Sequence, residues 1–315
     1  MIPTLNAVSS RGEKIALAEC LQYPLHCVSR VLFFTKLPNL THSKLSNLGQ
    51  ENVVMPELIN ICEQAARLGG AELLRWKGKF SVTEKSVADL VTEADFASQR
   101  AIYDLLTREF PDHGFHGEEE LSVMENTKAD LHSDHCWVVD PLDGTTNYVH
   151  GLPYYCVSVA MVAHGKTQVA AVYDPERDEC FSAIAGENSK CNGQLIFTSD
   201  AEKVSESLLV TGFGPNAAGK THEMDWFMRA STQAQSLRRM GAAALNLAYV
   251  ACGRMDGYWQ TTAKAWDVAA GDLLVRQAGG HVTSIDGSQF DLRNPKMVAS
   301  ATPGLSRAIV QMLDA

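Results

Sequence analysis

The chain has 315 residues, 45% hydrophobic and 20% charged, an ordinary globular composition long enough to bury a large core, which excludes disorder, collagen-like repeats and a small disulfide scaffold. Its formal charge is -10, from 37 Asp and Glu against 27 Lys and Arg, so no chain-wide positive field exists to hold a nucleic-acid backbone as the main ligand. Eight cysteines lie scattered, with no CxxC pair and no Cys/His group at zinc spacing, and they read as reduced thiols of a cytoplasmic protein.

Residues 1–54 carry five basic and three acidic side chains, which leaves about -12 on the remainder. Their short apolar runs, such as residues 31–34, are broken by Pro24 and Pro38 without a sustained period, as expected of a poorly ordered extension or a mis-assigned start. No run reaches the roughly eighteen apolar residues of a membrane span, and no signal-peptide pattern is present. Met55-Pro56 opens an amphipathic helix through Ile61, Cys62, Ala65 and Ala66, with Gly69-Gly70 as its expected stop. Residues 80–83 are strand-like. A second helix is predicted over 92–110, with Ala94, Ala97, Ile102, Leu105 and Leu106 on its apolar side. Strand signals follow at 136–139, 155–162, 168–173 and 180–184, an antiparallel pattern with turns at Gly165-Lys166 and at 175–178. From Leu208 the texture alternates: strand 208–211, helix 224–235, strand 237–240, helix 242–252, strand 257–260, helix 267–277, strand 281–285. A boundary near residue 200 then divides an α+β half, 55–200, from an α/β half, 201–315.

Three acidic groups follow a strand-like run or open a helix: Gly117 to Glu120, Asp140 to Asn147, and Trp266-Asp267. Any one of them alone reads as a solvated turn or a helix cap. For Asp140-Pro-Leu-Asp143 the apolar run 136–139 delivers Asp140 at the end of a buried strand, and Pro141 fixes the chain so that Asp140 and Asp143 share a side. Two carboxylates about 4 Å apart repel by roughly 4 kcal/mol at an effective dielectric near 20. A site gathering Glu118, Asp140, Asp143 and Asp267 therefore needs cations. All-oxygen ligation without Cys or His selects a hard ion, with Mg²⁺ leading. Gly144-Thr145-Thr146 supplies unobstructed backbone N–H groups and hydroxyls suited to a phosphate.

The run from Asp140 to Pro153 (Asp-Pro-Leu-Asp-Gly-Thr-Thr-Asn-Tyr-Val-His-Gly-Leu-Pro), with Gly117-Glu-Glu119, Asp89-Leu-Val-Thr-Glu-Ala-Asp95 and Trp266-Asp-Val-Ala-Ala-Gly271 before Gly279-Gly280, resembles the inositol monophosphatase family of Mg²⁺-dependent, lithium-sensitive phosphatases. The resemblance spans about residues 55–315 and implies the family's sugar-phosphatase fold, with alternating αβαβα layers. It implies that Glu118, Asp140 and the Leu142 carbonyl hold one Mg²⁺ and that Asp140, Asp143 and Asp267 hold a second. A third, looser ion would sit near Glu118. Glu118 and Thr145 would orient the attacking water, with Asp95 bonded to the Thr145 hydroxyl. Gly144 and Thr145 N–H groups would hold the phosphate. Lys85 matches the basic residue of a mobile loop, and Glu119 is a supporting carboxylate. Read alone, Thr92 and Asp95 cap a helix and Trp266 is core packing. Glu120 reads as solvated, His116 and His150 as turn or outer residues.

The alcohol side departs from the family. Gln260 stands where a hydroxyl-accepting Glu is common, and Gly241-Ala242-Ala243 lacks the usual Ser or Thr, so at least two polar contacts to a polyol change. Lys264 near the same rim suits a substrate with a second acceptor or anionic group. The expected function is a phosphoric monoester hydrolase acting on a small phosphorylated alcohol, by default inositol monophosphate, and forming a homodimer. The alternatives are a histidinol-phosphatase, a broad sugar or nucleotide phosphatase, or a regulatory binding protein that reuses the fold.

Overall fold

Strand pleat sorts the apolar residues onto opposite faces, and that sorting builds the layers. The computed structural model describes residues 51–86, 89–119, 129–213 and 221–314; the expectations for residues 1–50 and for Glu120 lie outside them. Helices α1 (Glu51–Trp76) and α2 (Glu93–Glu109) flank a hairpin of β1 (Val82–Ser86) and β2 (Asp89–Thr92). A seven-stranded sheet follows in sequential order: β3 (Gly114–Gly117), β4 (Cys136–Asp143), β5 (Cys156–Ala163), β6 (Lys166–Asp174), β7 (Glu179–Ile184), β8 (Lys190–Cys191) and β9 (Gln194–Leu195). It is antiparallel throughout except for the parallel β3–β4 pair. The second sheet contains β10 (Leu208–Gly212), β11 (Ser236–Arg238), β12 (Gly257–Gln260), β13 (His281–Ser284) and β14 (Met297–Ser300), ordered β11-β10-β12-β14-β13. Between them run α3 (Thr145–Val149), α4 (Thr221–Gln233), α5 (Ala243–Ala251) and α6 (Ala265–Gln277), and α7 (Pro303–Asp314) ends the described chain.

On one face of the first sheet, Trp137, Val139, Val157, Val159, Met161, Val169 and Ala171 pack against α1 and α2. Their pleat neighbours Val138, Cys156, Ala160, Ala170 and Val172 face α5 and α6, which also cover Val210, Tyr258, Val282 and Ala299 of the second sheet. Leu209, Trp259 and Val298 on that sheet's far face pack under α7 and Ala230 of α4. The result is the expected αβαβα stack, with α5 and α6 as the central helical layer. The proposed boundary near residue 200 falls between β9 and a single 3-10 turn at Val204–Glu206. The second sheet is mixed: β10, β11 and β12 run parallel, whereas β14 is antiparallel to both its neighbours. No helix among the described residues is long and apolar enough to cross a membrane.

Several boundaries differ from expectation. Helix α1 begins at Glu51 rather than at Pro56, which sits one turn inside and removes a single backbone donor. It also runs through Gly69-Gly70 instead of stopping there. Both glycines are buried close approaches: a Cβ on Gly69 would lie 2.7 Å from Ile102 and Ser98 of α2, and one on Gly70 2.6 Å from the Tyr173 ring of β6. The first strand lies at 82–86 rather than 80–83 because pairing with β2 sets its register. β2, β3, β8, β9, β14 and α7 were not anticipated, although Thr302-Pro303 signals a helix start, and the Thr302 hydroxyl accepts the Leu305 N–H at 3.1 Å.

Gly70→Ala separates two opposed effects. Ala gains about 1 kcal/mol of helix propensity, but overpacking against a fixed aromatic ring costs about 1–3 kcal/mol. The expected result is a lower urea midpoint with an unchanged slope; a higher midpoint would refute the close approach.

Candidate functional site

The site is assembled at the end of β4, where the strand is buried throughout. Asp140 continues the parity of Cys136 and Val138 and so faces the central helical layer. Three positions further on, Asp143 would point the opposite way in a regular strand. Instead the register slips: Asp140 pairs with Ser158 and Asp143 with Cys156, three residues against two. This irregularity turns Asp143 onto the same face, where the Cys156 thiol donates to its Oδ2 at 3.6 Å. Pro141 alone does not account for the shared side.

Each acid rests on a backbone donor. Asp140 Oδ1 accepts the Leu142 N–H at 3.0 Å. Asp143 accepts from Ala243 and Ala244 at 3.0 and 2.6 Å, which sets it on the N-terminus of α5. Asp267, in the first turn of α6, accepts the Lys264 N–H at 2.7 Å. Lys264 itself is the N-cap residue and is exposed. Asp140 is 2% and Asp143 8% exposed, while Asp267 opens partly toward solvent.

Burial drives the Asp140 carboxyl well above the usual carboxylate range, helped by the charges of Glu118, Asp143 and Asp267. Burial outweighs the backbone N–H bonds at Asp143 and lifts it to about 6. Burial and the Asp143 charge lift Asp267 to about 7. Among the described residues no three His, Cys, Asp or Glu side chains form a closed ligand group; the acids lean on backbone donors. Carboxylates, a backbone carbonyl and no imidazole fit a hard divalent cation, which would supply the missing positive charge. Cys156 stays a thiol, since burial and Asp143 push its pKa far up.

Glu118 follows β3, and its N–H donates to the Val139 carbonyl at 3.1 Å. Its position depends on Gln99 of α2, which sequence reading missed. The Gln99 amide accepts the Glu119 N–H at 2.9 Å and donates to the Glu119 carbonyl at 2.6 Å. A Cβ on Gly117 would sit 2.5 Å from that amide, so the glycine before the acidic pair admits the clamp. The Glu119 side chain is buried. Trp266 is partly buried, packed on the central core and 5.5 Å from the His116 ring. His150 caps the C-terminus of α3.

Gly144 adopts φ 95° as the N-cap of α3. A Cβ there would lie 3.1 Å from the Tyr154 carbonyl and 3.2 Å from the Ala242 and Tyr155 Cβ atoms, so both backbone angle and space require glycine. The Thr145 hydroxyl donates to the Leu142 carbonyl at 3.1 Å and lies 3.4 Å from Asp95 Oδ1. Asp95 also serves the capping box of α2, its Oδ2 accepting the Thr92 N–H and hydroxyl at 2.8 and 2.7 Å. Capping and site contact are therefore combined in one carboxylate. Lys85 lies in β1, with its side chain outside the described residues.

Beside Asp143 and Asp267 opens a cavity of about 410 Å³ reaching Gly241, Ala242, Ala243, Gln260 and, unanticipated, Phe213 and Arg239. Gly241 takes φ 86° against Asn147, whose amide donates to the Tyr154 and Met240 carbonyls at 2.7 and 2.8 Å. Ala242 caps α5, while Ala243 contributes its N–H to Asp143.

Fold and site together define a layered α+β protein with a buried acidic centre where the first sheet meets the central helices. The chain belongs to the inositol monophosphatase family, whose model matches residues 55–314, and that membership supports a phosphatase of this metal-dependent family. It is 40% identical to the Nus factor SuhB of Pasteurella multocida over 78% of this chain and 92% of that one. It is 38% identical to inositol monophosphatase 2 of Solanum lycopersicum over 82% and 99%. The solved inositol monophosphatase from Anabaena superposes with a TM-score of 0.73 at 34% identity, covering 82% and 96%.

Proposed function

We propose that the chain is a Mg²⁺-dependent phosphomonoesterase that hydrolyses a small phosphorylated alcohol, by default inositol monophosphate. The observation that carries this reading is the face shared by buried Asp140 and Asp143, completed by Asp267 and adjoining the Gly144 turn. Asp140, Asp143, Asp267, Glu118 and the Leu142 carbonyl would hold two or three Mg²⁺ ions. When bound, these ions lower the pKa of the attacking water and stabilise the leaving alkoxide in an in-line displacement. The N–H groups of Gly144 and Thr145 receive phosphate oxygens. The Thr145 hydroxyl, placed by Asp95 and the Leu142 carbonyl, orients the water together with Glu118 and passes its proton on. Lys85 and Glu119 support the site from its edge.

Phosphate release from inositol, histidinol, sugar and nucleotide monophosphates, with and without Mg²⁺, tests this reading. Release that requires Mg²⁺ is expected, with the rate order naming the substrate, and equal weak rates would mark a broad phosphatase. Inertness on every ester would favour a regulatory binding protein, the reading that the relative called a Nus factor supports. Millimolar Li⁺ is expected to inhibit by occupying a metal position once product has formed; undiminished turnover would count against that. A homodimer in the cytoplasm is the expected state. The six free thiols among the described residues suit a reducing compartment, and a sizing column reads the assembly.

A further inference from the structure

Beyond Asp143 and Asp267, the cavity beside the acidic centre is lined by the amides of Gln260 and Asn246 and by the Arg239 guanidinium. Gln260 lines it, and the Tyr258 hydroxyl donates to the Gln260 amide oxygen. Asn246 lines it too, and the Tyr154 hydroxyl donates to its amide oxygen at 2.8 Å. Burial raises the pKa of both tyrosines far above the ordinary phenol value, so both hydroxyls keep their protons. Each amide oxygen thus already accepts one hydrogen bond, while neither NH₂ group donates to a protein acceptor among the described residues.

Arg239 completes the pattern. Its guanidinium stacks 4.4 Å over the Phe213 ring and donates to the Phe213 carbonyl at 3.2 Å. Among the described residues no carboxylate lies within ion-pair distance of it. Arg67, Arg177, Arg254, Arg276 and Arg293 are each paired to an acid; Arg229 and Arg238, like Arg239, bond carbonyls or a hydroxyl, but only Arg239 of the three lines the cavity. A stacked guanidinium keeps its fork oriented for a planar or tetrahedral anion.

From this we infer that the alcohol half of the substrate carries a second anionic group, a carboxylate or a second phosphate, received by Arg239 with the Gln260 and Asn246 amides. The inference rests on the phosphatase reading and narrows its substrate class. On this reading the scissile phosphate sits at the acidic centre and the second anion beside Arg239 in the same cavity.

Two matched pairs of esters test it. 2-Phosphoglycerate and glycerol 2-phosphate differ by a carboxylate in place of a hydroxymethyl group. Glucose 1,6-bisphosphate and glucose 1-phosphate differ by a second phosphate. For the wild type with Mg²⁺, kcat/KM is expected to favour the doubly anionic member of at least one pair by about ten- to a hundredfold, the range for charge-assisted hydrogen bonds. The favoured pair identifies the anion. Arg239→Met brings that ratio toward one mainly through KM, Arg239→Lys keeps part of it, and Gln260→Glu lowers it by adding a like charge. Ratios at or below one in the wild type for both pairs, or a ratio unchanged in Arg239→Met, overturn the inference while leaving the phosphatase reading intact. If no ester is hydrolysed, the phosphatase reading falls, and calorimetric binding of the same pairs still decides the preference.

Discussion

Asp140→Asn should abolish Mg²⁺-dependent phosphate release while making the metal-free protein more stable. The first effect follows from removing the acid common to both proposed metal positions. Metal stabilisation of transition-state charge is worth several kcal/mol, so turnover should fall by roughly a thousandfold or more. The second effect follows from relief of repulsion, since Glu118, Asp143 and Asp267 all press on the Asp140 charge. Relief of even about 1 kcal/mol raises Tm by about 2–4 °C in a domain of this size. Mg²⁺ at a hundred times its Kd should stabilise the wild type by about 2.7 kcal/mol and the variant by much less. Calorimetric melts with and without Mg²⁺, read beside phosphate release, check all three.

The same acids set a pH dependence. Asp140, Asp143 and Asp267 are all raised in the folded protein, Asp143 to about 6 and Asp267 to about 7, whereas an unfolded Asp titrates near 4. The metal-free fold therefore binds more protons than the unfolded chain between about pH 4 and 7, and its stability falls as pH rises through that window. Mg²⁺ should flatten the fall, and Asp140→Asn should weaken it without metal. Metal-free stability that rose across the window would mean the acids are not crowded.

Thr145→Val should cost about a hundred- to ten-thousandfold in kcat, the range for a positioned proton-transfer group, with little change in KM. Valine keeps the β-branch and removes only the hydroxyl that bonds the Leu142 carbonyl and approaches Asp95. The fold should tolerate this, because the Thr92 N–H and hydroxyl remain on the other Asp95 oxygen. Thr145→Ser should retain turnover within about tenfold on the same scale. A wild-type kcat in Thr145→Val with an unshifted pH profile would remove the residue from the proton path.

Residue order alone made the acidic half of the site legible. An apolar run ending in Asp140 and Asp143, an unobstructed glycine at 144, and Asp267 opening a helix are local features, readable from pleat and capping rules. The antiparallel strand order and the central helices were equally legible from period and turn chemistry. Gly69-Gly70 misled because glycine signals both helix ends and close approaches, and only the neighbouring Tyr173 and Ile102 distinguish the two.

What the chain decided by itself was the identity and local setting of the acids. Tertiary structure decided which groups meet. A three-against-two register slip turns Asp143 toward Asp140. The amides of α5, one hundred residues away, receive its charge. Gln99 from another layer clamps the chain after Glu118, and Tyr154 of the first sheet donates to Asn246 of α5 beside the cavity. Each of these contacts joins segments far apart in sequence, and hydrogen bonds between such segments leave no period for a linear reading to detect.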